Sequence, residues 1–150
     1  MAAYAIDVAL LFAVLAPLAF VGQWLTGHVP DSPHAAWSVQ LLHFSLPAWT
    51  YFFAADRSAR GATLGKRWLG LRVATAARAR ARTALKLLPW ELTHLSGFAL
   101  GEEFGVLTPT QVVGLVLANV LAAGWLLLAA FSRGACSAHD RICGTRVERT

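Results

Sequence analysis

The sequence predicts an all-α integral membrane protein, a four-helix transmembrane bundle with a basic cytoplasmic loop and a small β element. Three observations predict it. Of 150 residues, 57% are hydrophobic and 14% charged, where a soluble domain carries about 25% charged residues. Long runs hold one charge or none: 3–25, with only Asp7, then 37–55 and 111–131. The thirteen Lys and Arg fall in two blocks, Arg57 to Lys86 and Arg133 to Arg149. The length fits one domain, 1–150.

The first helix is placed at 3–25. At 1.5 Å per residue it reaches about 34 Å, enough for a bilayer core of about 30 Å. A cleaved signal peptide would need a basic start, and Met1 to Ile6 has none. The second helix is placed at 37–55, interrupted by Gln40, His43 and Pro47. Proline inside a span, as at Pro17 and Pro47, is tolerated where neighbours satisfy the freed carbonyl. The fourth helix is placed at 110–132. The third, 84–104, is apolar in bulk but contains Lys86, Glu91, His94, Glu102 and Glu103, and charge bookkeeping decides it. The positive-inside rule puts both basic blocks in the cytoplasm. Returning to the same side takes an even number of crossings, so a short helix around 87–100 crosses or re-enters before the fourth. Loop 56–83 and tail 133–150 are then cytoplasmic, as are both termini, in a multi-pass protein of the cell membrane. The outer loops, 26–36 and 101–110, carry no Lys or Arg. Small residues at Ala5, Ala9 and Ala13, at Gly97 and Gly101, and at Gly114, Ala118 and Ala122 offer close helix contacts.

The sequence pI near 10.0 would suggest nucleic acid in a soluble protein. Here the basic residues flank apolar runs, so the expected partner is anionic lipid and not nucleic acid. Lys66, Arg67, Arg72, Arg78, Arg80, Arg82 and Lys86 are the candidates for structural or headgroup contacts, with Arg78, Arg80 and Arg82 expected along the headgroups. Gly61-Ala-Thr-Leu-Gly65-Lys66-Arg67 is not a phosphate loop: it has three residues between its glycines, not four, and no Ser or Thr after the lysine. Leu69, Leu71 and Val73 alternate with Gly70 and Arg72, a strand pattern. Thr145 to Glu148 is a fainter copy, and neither strand is viable alone, so the two are expected to pair.

Three segments together resemble the RDD family of small membrane proteins: Thr63-Leu-Gly-Lys-Arg-Trp-Leu-Gly-Leu-Arg-Val73, His139-Asp-Arg-Ile-Cys-Gly-Thr-Arg-Val147 and Tyr4-Ala-Ile-Asp7. The Lys86-Leu-Leu-Pro-Trp-Glu-Leu-Thr-His94 stretch is similar to a version found in some members. The resemblance covers essentially the whole chain. It implies a membrane protein of poorly defined activity, for which transport, and cation–proton exchange in some members, has been suggested. Asp7 and Asp140 match the two aspartates of the family name. Its arginine, expected before the first helix, has no counterpart ahead of Arg57.

The ion or proton candidates are Asp7, Glu91, His94 and Asp140. Asp7 sits within a span, where a carboxylate costs about 2.5–3.5 kcal/mol at mid-bilayer. It reads either as such a site or as the acid of a structural pair with a loop arginine. Glu91 and His94, i and i+3, share a helix face and read as a relay or as a self-satisfied polar patch. By depth, Asp7, Glu91 and Asp140 are expected to converge near the cytoplasmic surface, with Lys66, Arg67 and Lys86 the nearest partners. His43 and Asn119 read as interhelical hydrogen-bonders. Cys136, His139 and Cys143 would share a helical face and are weak zinc candidates, with no evident fourth ligand other than Asp140 or a water. His28, Asp31 and His34 fit a solvated loop better than a metal site. No metal or cofactor is implied, and no nucleophile–base pair or nucleotide fingerprint argues for an enzyme. Two functions compete: a transporter or channel subunit, needing a homo-oligomer because four short helices enclose little space, and a non-transporting scaffold for a membrane partner protein.

Overall fold

The computed structural model describes residues 2–27, 29–74, 78–101, 103–132 and 136–150. His28, Glu102 and Arg133, which entered the charge and metal readings, lie outside them. The chain is mostly helical, in the order α1 (Ala2–Thr26), α2 (Pro33–Gln40), α3 (Leu46–Arg57), α4 (Leu64–Trp68), β1 (Leu71–Val73), α5 (Ala79–His94), α6 (Pro109–Phe131), α7 (Ala138–Cys143) and β2 (Val147–Arg149). Among the described residues, α1 and α6 are the helices long and apolar enough to cross a membrane. Both expose large apolar side chains such as Phe20, Trp24, Leu117 and Phe131. Helices apolar all round are not built for water.

The second apolar run is one continuous helix from 33 to 57, in which a π turn, Leu41–Ser45, joins α2 to α3. It starts four residues before the expected 37, because Ser32 caps the backbone N–H of Ala35 and Pro33 takes the first turn, where a missing N–H costs nothing. The π turn shifts the register, with Leu46 N–H donating to Leu41 O, just ahead of Pro47. Proline cannot continue the regular ladder, and a π turn is a known way to absorb the break.

The third helix differs most from the expected 84–104. It begins at Ala79, runs through Pro89 and ends in a second π turn, Leu95–Ala99. Gly101 lies beyond it, against the Gln111 side chain. Gly97 O, in the last turn of this helix, accepts from Gln111 Nε2 at 3.0 Å. Gln111 also completes the Thr108 capping box at the start of α6. The Gly114–Ala118 ladder packs as expected, with Gly114 against Ser96 and Ala118 fully buried. Ala5, Ala9 and Ala13 instead face outward.

The segment at 56–83, expected as a basic loop holding one strand, contains α4, β1 and the first turn of α5. The expected strand pair forms: β1 and β2 are antiparallel, with Leu71 opposite Arg149 and Val73 opposite Val147. Both strands start two residues late. Leu69 still closes α4, and Gly70 turns at φ +62. Gly144 ends α7 in the left-handed region, which suits glycine, and Thr145 N–H donates to Asp140 O.

Candidate functional site

Where α3, α4, α5 and α7 meet, the chain buries an ionic core. Arg82 is its hub: Nη1 lies 2.5 Å from Asp56 Oδ2 and Nε 2.8 Å from Asp140 Oδ1. Lys66 Nζ takes the other Asp56 oxygen at 3.1 Å. All four side chains are more than nine-tenths buried. Charges stripped of water persist only when paired and hydrogen-bonded. Asp140 meets that demand fully, since it also accepts from Thr145 Oγ1 at 2.9 Å and from Ser137 N and Oγ at 3.1 and 2.6 Å.

Asp7 is held differently. Its Oδ1 accepts from Tyr51 Oη at 2.6 Å and from Gly65 N–H at 2.8 Å, while Tyr51 Oη accepts from Leu64 N–H at 2.9 Å. Carboxylate and phenol thus cover the first amides of α4, the end of a helix that favours negative charge. Gly65 is required there, because a Cβ would collide with Ala3 O. Asp7 is 1% exposed, and its Oδ2 has no hydrogen-bond partner among the described residues. Lys86, one turn beyond Arg82, has no ion pair among the described residues. Its Nζ rests 3.5 Å from the Phe52 ring centroid, a cation–π contact.

Beside these groups is a cavity of about 310 Å³, lined by Asp7 and Tyr4 from α1 and by Trp125 and Leu126 from α6. Lys66, Arg82, Lys86, His139 and Asp140 line it too. That volume is at the lower end for small-molecule sites. Burial pushes the His139 imidazole down to about 3 despite Asp140 beside it, so it is neutral at pH 7. Burial opposes the charged form of Asp140, but Arg82, His139 and the Ser137 bonds outweigh it and hold the carboxyl down to about 2. Burial and the nearby Arg82 lower Lys66, although Asp56 pulls the other way.

The expected convergence of three acids holds for Asp7 and Asp140, which share the cavity, and fails for Glu91. Glu91 accepts from Ser45 Oγ at 3.0 Å and Trp49 Nε1 at 3.2 Å, joining α5 to the helix at 33–57. His94 does not pair with it: its Nδ1 meets Trp90 O at 2.9 Å and its ring packs on Trp90. The acid that replaces Glu91 is Asp56. Lys66, Arg82 and Lys86 are buried structural cations and do not lie along a headgroup layer, because the carboxylates and the Phe52 ring hold them inside. Arg67, Arg72, Arg78 and Arg80 stay exposed. Arg67 Nε donates to Ala62 O, Arg72 pairs with Glu148, and Arg80 sits over Phe53. His43 and Asn119 bond within their own helices, to Val39 O and Leu115 O, and not across helices. Among the described residues no three His, Cys, Asp or Glu gather as metal ligands. Cys136 Sγ is 3.8 Å from Thr145 O and His139 Nε2 bonds Ser137 Oγ, so the trio with Cys143 is not assembled.

The family profile described as RDD family matches residues 1–144. No curated protein matches the chain, and no solved structure does.

Proposed function

The chain belongs to the RDD family of small membrane proteins, and from that premise we propose that it is a four-pass transporter, or transporter subunit, for cations, protons or another small ligand. One observation carries the reading: a 310 Å³ cavity lined by ionisable side chains, in a chain with two helices fit to span a membrane. Ionisable groups within spans are costly, and they mark solute or proton paths by default. In this reading the helices at 33–57 and 79–99 cross as well as α1 and α6, and both termini are in the cytoplasm of a cell-membrane protein. Exposed Arg67, Arg78 and Arg80 then meet anionic headgroups, each worth about 1 kcal/mol near the surface. Asp7 is the coupling group, because its second oxygen is uncommitted. The solute path is completed by a second copy or a partner protein, and no enzymatic step is assigned.

A second reading, a non-transporting scaffold, draws on the Asp56–Arg82–Asp140 bridge, which ties helices together without leaving a free charge. Purified protein in vesicles loaded with a pH-sensitive dye, challenged with sodium, potassium or lithium, separates the two. The transporter reading expects flux above protein-free vesicles. No flux with any of these ions, nor with organic solutes, leaves the scaffold.

A further inference from the structure

The cavity has more donors than acceptors to spare. Among the described residues Lys86 Nζ makes no hydrogen bond, and Arg82 commits Nε and Nη1 but not Nη2. Both side chains are more than nine-tenths buried. On the acceptor side both Asp140 oxygens and Asp7 Oδ1 are engaged. Asp7 Oδ2 is free of partners but enclosed. Of the basic side chains that line the space, Lys66 and Arg82 are already paired with Asp56 and Asp140, which leaves Lys86 as the one without an ion pair among the described residues, and His139 adds no charge at pH 7. A buried amino group without an acceptor leaves its N–H donors unmet, which is costly unless something fills the gap. Beside these donors stands an apolar wall: Pro89 and Trp90 from α5, Ala122, Trp125 and Leu126 from α6.

We propose that the cavity binds an amphiphilic anion, with its carboxylate or phosphate on Lys86 and the spare arm of Arg82 and its apolar body against Trp90, Trp125 and Leu126. Arg82 is held by two carboxylates, so it is pre-aimed, and charge-assisted bonds from such donors are the strong ones. The same chemistry comes from a soluble organic anion or from a membrane lipid headgroup. The proposal rests on the cavity being a ligand site, but it concerns equilibrium binding. Saturable binding without flux would sink the transporter reading and leave this one standing.

The test uses the full chain in a non-ionic detergent, with thermal stability and intrinsic tryptophan fluorescence as readouts. The soluble probes are hexanoate, hexanol and hexylamine, matched in length. The lipid probes are dihexanoyl phosphatidylglycerol and dihexanoylglycerol. Saturable binding of hexanoate or of the phosphatidylglycerol, at least tenfold tighter than its uncharged counterpart, is expected, and whichever binds identifies the source. Lys86→Met should weaken that binding at least tenfold and raise the melting temperature of the free protein, since it removes a buried amino group that has no hydrogen-bond acceptor among the described residues. If Lys86→Met does not fold, the wild-type probe series still decides. Equal effects from hexanoate, hexanol and hexylamine, no binding of either anion, or unchanged anion binding in folded Lys86→Met would each overturn the proposal.

Discussion

Arg82 Nε lies 2.8 Å from Asp140 Oδ1, and that contact ties α5 to the C-terminal α7. The two residues are 58 positions apart in sequence. Removing one partner of a buried pair leaves the other charge stranded, at about 3–5 kcal/mol. Asp140→Ala should therefore lose most of its folded yield in detergent, and Arg82→Met should lose as much. Size-exclusion profiles and melting curves check both.

Acid should destabilise the fold in two windows. His139 has its folded value lowered to about 3 from 6.5. As pH falls below 6.5 the unfolded chain takes up a proton that the fold refuses, so stability drops from 6.5 towards 3. Asp140 has its folded value lowered to about 2 from 3.8. Its contribution, on the order of 2 kcal/mol, is present above 3.8 and is lost as pH falls from there to 2. Melting temperatures from pH 8 to 3 should show the upper slope, and His139→Phe should flatten it. An unchanged slope in that variant would remove His139 from the account.

Ser96 fills the notch over Gly114, where an added Cβ would overlap its side chain. Gly114→Ala should cost about 1–3 kcal/mol by overpacking. Adding Ser96→Gly should recover part of that loss, and a double-mutant cycle measures the coupling.

Glu91 is committed to Ser45 and Trp49 and does not line the cavity. Glu91→Gln should leave solute flux unchanged while lowering the melting temperature, because one of its acceptor oxygens becomes a donor facing donors. Loss of flux in a folded Glu91→Gln protein would place Glu91 on the solute path.

The two long apolar helices were legible because α1 and α6 are apolar on every side, and the strand pair because its alternation has period two. Asp7 and Asp140 were legible through their motifs. Asp56 was not, since it ends an apolar run beside Arg57 and reads as a loop boundary. Its partners, Lys66 and Arg82, lie 10 and 26 residues away. A signal did exist: on a helix Arg82 and Lys86 are four apart and share a face, and two buried cations require acids to meet them. The Arg78-Ala-Arg80-Ala-Arg82 alternation hid that face behind a two-residue period. Glu91 was misplaced because depth along a helix does not fix rotation about it.

The proposed four-pass topology, argued from the basic blocks, can be tested by labelling. In a background with Cys136→Ser and Cys143→Ser, Gly105→Cys should react with an impermeant maleimide only from outside the cell. Labelling only from the cytoplasmic side would invert or remove the third crossing.

The most direct measurement is flux through Asp7→Asn in reconstituted vesicles beside the wild type. Asparagine keeps the shape and can still accept from Tyr51 and Gly65, so the variant should fold. Asp7→Asn should keep a normal folded yield and show no flux of the solute that wild type moves. Wild-type flux from folded Asp7→Asn would contradict it and leave Asp7 as only the cap of α4.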